Sequence, residues 1–276
     1  MSDNTLLDAL ADSGLPPHKP LDPIPDGRIH RYRVAGDKAG SSNGWYVLRE
    51  QSGRQFATFG SWKTGQQHHW QDRQTTAMTQ AERADLQRVR AEAARLAQAE
   101  QAKVHEAARV KAQRLWDRAR PAPDSHPYLT GKRVRGFGLR QLGDMLLVPA
   151  RDAGGVLRTL QFIGTDGSKR FLTGGKIRGC YCAIGRPGDV LLLAEGFATA
   201  ATLCEATGHA TAACFSAGNL FAVARSLRAK FPRINMVLCA DDDHATPGNP
   251  GLSAARAAAR AVGGVVAVPV FEGRPA

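Results

Sequence analysis

Over residues 190–268 short apolar runs alternate with helical stretches, and few folds accept that order. Val190-Leu191-Leu192-Leu193-Ala194 is apolar without a break, the mark of a strand buried on both faces. Phe197–Thr207 reads as a helix closed by Gly208. Residues 209–215 read as a second strand, 220–230 as a helix stopped by Phe231-Pro232, and 234–240 as a third strand. Residues 253–262 form an alanine-rich helix, and Gly263-Gly264 leads to a last strand over 265–268. Strand and helix in turn predict a parallel α/β sheet with right-handed crossovers.

In such sheets the chemistry gathers at the carboxyl ends of the strands. Two strands here end in acids, the first in Glu195-Gly196 and the third in Asp241-Asp242-Asp243. In an extended chain Asp241 and Asp243 project to one side and Asp242 to the other. Gly196 would let the backbone turn sharply beside the carboxylate. Three carboxylates brought together resist joint ionisation unless a divalent cation neutralises them. Mg²⁺ suits that task, because it takes oxygen ligands and keeps waters and substrate phosphates in its shell; Mn²⁺ is the natural substitute. One acid at a strand end is equally well a helix cap. Three at the ends of two strands favour the metal, with Glu195, Asp241 and Asp243 as the catalytic and ligating set.

The rest of the chain falls into four stretches. Residues 1–27 read as a flexible Pro-rich leader, since Pro16-Pro17, Pro20, Pro23 and Pro25 remove donors and fix φ. Residues 28–70 read as a small antiparallel β module with strands over 28–34, 44–48 and 55–60, and with Trp45, Phe59 and Trp62 available as core. Aromatics interleaved with Arg could also stack on single-stranded bases, but core duty is the simpler use in so small a module. Residues 71–120 read as a long helical connector, one helix or a pair, opened by the capping box Thr79-x-x-Glu82. Its apolar stripe, Leu86, Val89, Ala93, Leu96 and Val104, is thin, so most of its surface should be solvated. Residues 121–188 read as a basic α+β subdomain with strands over 145–149 and 156–163, and 189–276 as the α/β unit.

Net charge is +12 and the pI near 10.0, which favours an anionic partner, nucleic acid being the commonest. The 5 cysteines (Cys180, Cys182, Cys204, Cys214, Cys239) are an odd number, mostly in apolar stretches, as reduced thiols are. No zinc is expected: Cys180-x-Cys182 lacks a second ligand pair at matching spacing, and His68-His69 is the only other candidate. No apolar run is long enough to span a bilayer, and the start has no basic n-region, so the expectation is a cytoplasmic protein without a membrane partner.

An apolar strand followed by Glu-Gly, an apolar strand followed by Asp-x-Asp, and a helix opening Gly251-Leu252-x-Ala254-Ala255 together resemble the Toprim domain of primases, topoisomerases and related nucleases. The hexamer Glu195-Gly196-Phe197-Ala198-Thr199-Ala200 is similar to the Glu-Gly-Tyr-Ala-Thr-Ala signature of satellite-phage and conjugative-plasmid primases, with Phe in place of Tyr. Residues 147–185 resemble the basic half of the bacterial primase core, which implies cations over nucleotide and template at Lys169, Arg170 and Lys176. Lys132 and Arg133, in a turn at Gly131-Lys132-Arg133, would extend that groove. Gly196 and Gly251 are the structural glycines of the pattern. The zinc ribbon of many bacterial primases is absent, and Gly174-Gly175-Lys176 is followed by Ile177, so it is no nucleotide-binding P-loop and no helicase motor is expected in this chain.

The resemblance implies a DNA primase making short RNA primers on single-stranded DNA from ribonucleoside triphosphates, in plasmid or phage replication, with a separate replicative helicase as a further partner. The same acids would serve a Toprim nuclease, since metal-assisted in-line displacement is common to both. A non-catalytic single-strand or origin-binding protein is the third reading. The upstream cations favour primer synthesis over cutting, because a nuclease has less need of a triphosphate cradle.

Overall fold

The structure, a computed structural model, describes residues 5–51, 53–72, 80–241 and 246–269. The chain divides into two compact units, residues 1–103 and 104–276. Among the described residues no helix is long and apolar enough to cross a membrane.

The first unit holds α1 (Leu6–Asp12), β1 (Asp26–Tyr32), β2 (Gly44–Gln51), β3 (Arg54–Ser61) and β4 (Gln66–Gln71). The strands pair antiparallel in the order β1-β2-β3-β4. Alternation sends Tyr46, Leu48, Ala57, Phe59 and Trp70 to one face, where Leu6, Leu10 and Leu15 cover them. The leader is therefore not loose. Its prolines begin only at Pro16, after α1 has closed, and Thr5 and Asp8 cap that helix reciprocally. Leu10→Ala should destabilise this unit by about 3 kcal/mol, read as a lower melting midpoint, whereas a free leader would leave the midpoint unchanged. Trp62 is also displaced from its expected place. It lies half-buried, stacked on Trp45 at 6.4 Å with the Arg31 guanidinium 4.5 Å above its ring, while Trp70 takes the core position.

Helix α2 (Gln80–Arg118) is one helix of 39 residues. Thr79 and the Glu82 side chain, the expected capping box, lie outside the described residues. Buried Ala93 and Ala97 belong to its first-unit part, and Ala108, Ala112 and Trp116 to its second-unit part. The packed stripe is thus made largely of alanines, too weakly apolar to stand out in the sequence.

The second unit continues with β5 (Arg120–Pro121), α3 (Pro127–Lys132), β6 (Arg140–Leu142), β7 (Met145–Arg151), β8 (Leu157–Ile163) and β9 (Lys169–Phe171), whose strands form an antiparallel sheet in the order β5-β6-β7-β8-β9. Then come β10 (Cys182–Ile184), β11 (Val190–Ala194), α4 (Phe197–Thr207), β12 (Ala210–Ala213), α5 (Ala217–Lys230), β13 (Asn235–Cys239), α6 (Pro250–Val262) and β14 (Val265–Ala267). The second sheet runs β10-β12-β11-β13-β14; β11, β12, β13 and β14 are parallel, as the alternating pattern predicts. Edge strand β10 is antiparallel to β12, so the sheet is mixed. Three residues reached directly from the upstream sheet, through the Arg151–Tyr181 bridge, have no crossover to make them parallel.

Side chains on β11 divide between two cores. Leu191 and Leu193 pack with α5 and α6, whereas Leu192 and Ala194 pack with α4, α3 and the inner face of the antiparallel sheet at Leu146, Val148 and Ile163. The other face of that sheet, with Leu147, Leu160 and Phe162, is closed by Ala112 and Trp116 of α2.

All five cysteines are free thiols, and Cys204 is the one among them that is not buried. Burial pushes the thiols of Cys180 and Cys239 up to about 11 and that of Cys182 up to about 12. A thiol that stays protonated when folded but ionises near ~8.5 when unfolded leaves the unfolded chain with fewer bound protons above that pH. Stability should therefore fall as pH rises from about 8.5, measured as the denaturant midpoint, and Cys182→Ala should flatten that fall.

Candidate functional site

Strand β11 is central, hydrogen-bonded in parallel to β12 on one side and β13 on the other. The chain leaves β11 for β12 and later lays β13 on the opposite side, so the strand order reverses between β11 and β13. In open α/β sheets ligands bind outside the carboxyl ends of two strands so arranged. Leu193 stands opposite Leu238, and two further residues along each strand bring Glu195 beside Ala240, next to Asp241. Glu195 is half-buried with its Oε1 away from solvent, and Asp241 is half-buried too. The Glu195 charge is felt at Cys214, whose thiol is pushed up mainly by burial and further by that carboxylate.

Asp243, like Asp242 and His244, lies outside the described residues. Among the described residues no group of three or more His, Cys, Asp and Glu could hold a metal ion. The two described carboxylates on adjacent strand ends are hard oxygen donors, and that donor chemistry fits a divalent cation of the Mg²⁺ kind. Helices α4 and α5 begin at the carboxyl ends of β11 and β12, and neither N-cap, Gly196 or Ser216, closes the first turn with a side chain. Their positive dipole ends face the same end of the sheet.

The backbone at Gly196 is extended, with φ −99° and ψ 156°, and a Cβ there would meet nothing closer than Thr199 Oγ1 at 3.9 Å. The expected sharp turn is absent, and any residue could adopt this conformation. Gly196→Ala should fold with a stability change within about 0.5 kcal/mol; a loss of activity without loss of melting temperature would show that reactants use the open space. Gly251 is buried in the first turn of α6, after Asn249, whose side chain accepts from the Leu252 N–H at 3.3 Å.

The expected cations separate. Lys169 and Phe171 share the face of β9 that pairs with Ile163 and Gln161, while Arg170 pairs with Phe162 on the opposite face. Strand alternation therefore sends Arg170 away from the parallel sheet, its guanidinium 4.9 Å from the Phe162 ring. Phe171 meets Phe215 edge-on at 5.3 Å, which holds the β9 end against the carboxyl end of β12. Lys169 Nζ is 5.7 Å from the ring of Tyr128; burial raises the phenol's proton affinity there, and nearby Lys132 opposes the rise. Lys132 closes helix α3, and Arg133 is its left-handed C-cap at φ 55° rather than the tip of a free turn. His126 is buried and caps α3 through Nδ1, accepting from the Tyr128 N–H at 3.2 Å. Lys176 is exposed on the loop after Gly174-Gly175, where a Cβ on Gly175 would run into the Thr159 side chain.

One residue at this end of the sheet was missed altogether. Asn219 is buried in the first turn of α5. Its Oδ1 accepts from the Gly179 N–H at 2.8 Å, and its Nδ2 donates to the carbonyls of Cys180 at 2.9 Å and Cys214 at 2.8 Å. The Cys214 N–H in turn donates to the Ala194 carbonyl at 2.8 Å, one residue before Glu195.

Residues 190–273 match the family model described as the Toprim domain. That stretch, β11 to β14, is similar to the Toprim domain. Over 261 residues, 90% of the chain, the sequence is 38% identical to a DNA primase TraC of Escherichia coli, and equally to a second protein of that name and organism. The chain spans 24% of the length of the first of these curated relatives and 18% of the second. Among solved structures, the primase fragment of the bacteriophage T7 primase-helicase protein is similar over 52% of this chain and 64% of that one, at 15% identity and a TM-score of 0.39, a likeness too low to carry weight. The Toprim match begins at Val190, the first residue of β11, and takes in both acid-bearing strand ends.

Proposed function

We propose that this chain is the catalytic region of a DNA primase, making short RNA primers on single-stranded DNA in the replication of a plasmid or phage. The observation that carries this reading is the pair of adjacent strand ends bearing Glu195 and Asp241 where the strand order of the Toprim domain reverses. The identity to proteins named DNA primase TraC across both units supports it.

Glu195, Asp241 and Asp243 would hold the metal. Mg²⁺, or Mn²⁺ in its place, when bound supplies positive charge to the triphosphate and lowers the pKa of the attacking 3′-hydroxyl. Glu195, half-buried on the central strand, either ligates or takes the hydroxyl proton. Lys132 and Lys169, converging on Tyr128, and Lys176 on its loop would bind phosphates of template and nucleotide. Arg170, facing the other side of β9, has no part in that set. A separate helicase would open the duplex, and the reaction would run in the cytoplasm.

The test is incubation with single-stranded DNA, labelled ribonucleoside triphosphates and Mg²⁺. Short RNA products that vanish with Asp241→Asn support primer synthesis. Template shortening that vanishes with the same variant would replace it with a Toprim nuclease, and binding without either product would sink both.

A further inference from the structure

Most arginines of the second unit around the antiparallel sheet are committed to the protein itself. Arg140 donates to the Trp116 carbonyl at 2.6 Å, Arg151 to the Gly155 carbonyl at 3.0 Å, and Arg158 to Asp152 at 2.6 Å. Arg178 differs. It is exposed, and its guanidinium enters no hydrogen bond, ion pair or ring contact among the described residues.

Its backbone is held unusually firmly for an exposed loop residue. Ile177, Arg178, Gly179 and Cys180 form a β-turn closed by the Cys180 N–H donating to the Ile177 carbonyl at 2.8 Å. Gly179 has φ 75°, as the third position of a type II turn requires. Asn219 grips the turn on both sides of Arg178. It accepts from the Gly179 N–H and donates to the Cys180 carbonyl, with a longer approach of 3.3 Å to the Ile177 carbonyl.

The same amide donates to the Cys214 carbonyl, so one side chain ties the turn to the end of β12. There the backbone is strained. Phe215, the next residue, has φ 73°, a region that aromatic side chains rarely enter. It is also the residue that meets Phe171 of the cation-bearing strand. A long side chain loses binding free energy to its own freedom unless its base is fixed. Here the base is fixed to the strand adjoining Glu195.

We propose that Arg178 is a further phosphate-contacting residue of this site, and that Asn219 is the positioning residue that aims its turn. The proposal rests on the reading of the site as one for nucleic-acid phosphoryl transfer, and its ligand is the phosphate backbone of the single-stranded template. Guanidinium suits that ligand, since its planar fork takes two phosphate oxygens at once.

The experiment measures binding of a single-stranded oligonucleotide to the full chain as a function of salt, without nucleotide or metal, so that it stands apart from any catalytic result. Losing one phosphate contact should lower the slope of log K against log salt by about 0.7. Arg178→Ala should show that drop and Arg178→Lys should keep most of the slope. Asn219→Ala should lower the slope as Arg178→Ala does, and should add little to it in the double variant, because both remove one contact. In primer synthesis Asn219→Ala should raise the KM for template roughly 5–10-fold with kcat nearly unchanged. An unchanged slope in Arg178→Ala, full additivity of the two variants, or no binding by the unaltered chain would overturn the proposal. Arg178→Ala and Arg178→Lys alter an exposed side chain only, so they decide the matter even where Asn219→Ala does not fold.

Discussion

Glu195→Gln should abolish primer synthesis, lowering the rate by about 10²–10⁴-fold, while single-stranded DNA binding stays or tightens slightly. Glutamine keeps the shape of the side chain in its half-buried place at the end of β11, so the sheet should not change. What is lost is one negative charge on the central strand, at the level of Ala240 beside Asp241. A carboxylate that ligates a cation or accepts a proton cannot be replaced by an amide, whereas one that merely fills space can. Removing a negative charge near the path of a phosphate backbone lowers repulsion, so affinity has no reason to fall. The measurement is product per enzyme at saturating template and nucleotide, with melting temperature as the control. Retained activity in Glu195→Gln would remove Glu195 from the chemistry and with it the assignment of the site to the carboxyl ends of β11 and β13.

The strand-end acids were legible because two signals coincide there. An unbroken apolar run marks a buried parallel strand, and acids directly after two such strands exceed what helix capping needs. The bounds of α4 were equally plain, since Gly208 at φ 71° stops it where a glycine should. Other elements were hidden for identifiable reasons. Helix α1 was masked by the prolines that follow it, although Thr5-x-x-Asp8 and the Leu6–Leu10 spacing were there to be read. The packing stripe of α2 is built from alanines, whose hydrophobicity is too small to stand out against its Arg and Glu residues. The alanine pattern alone starts α6 at Ser253, yet Asn249 before Pro250 is an N-cap followed by a proline at the first helical position, and the helix begins there.

The site residues divide in the same manner. Lys169 and Arg170 are neighbours in sequence, and only the pairing of β9 with β8 shows that they face opposite ways. Asn219 offers no periodic signal at all. Its importance lies in four hydrogen bonds to backbone groups 5 to 42 residues away, which exist only once the turn at Arg178 has come to rest against β12. Sequence alone shows residue types and spacing. It does not show which buried amide will be the one to satisfy another loop's backbone.

Phe197→Ala should destabilise the second unit by about 3–5 kcal/mol. Phe197 is the first residue of α4, immediately after Glu195-Gly196, and is 1% exposed. It packs in the core between the parallel sheet and the inner face of the antiparallel one, with Leu146, Val148, Leu192 and Ala194 among its cluster. Truncation leaves a cavity at the seam of two layers, and the backbone that carries Glu195 rests on that seam. For a unit of this size each kcal/mol shifts the melting midpoint by roughly 2–4 °C, so calorimetry should show a drop of about 10 °C. Phe197→Tyr separates packing from polarity. The residue is buried and its surroundings are apolar, so an added hydroxyl must either find a partner or lower stability by about 1–3 kcal/mol. The aromatic ring is common to Phe and to the Tyr of the similar primase signature, and the ring is what the seam requires. A Phe197→Ala protein that melts at the unaltered temperature would mean that the two layers hold together without it, and that Glu195 is fixed by β11 alone.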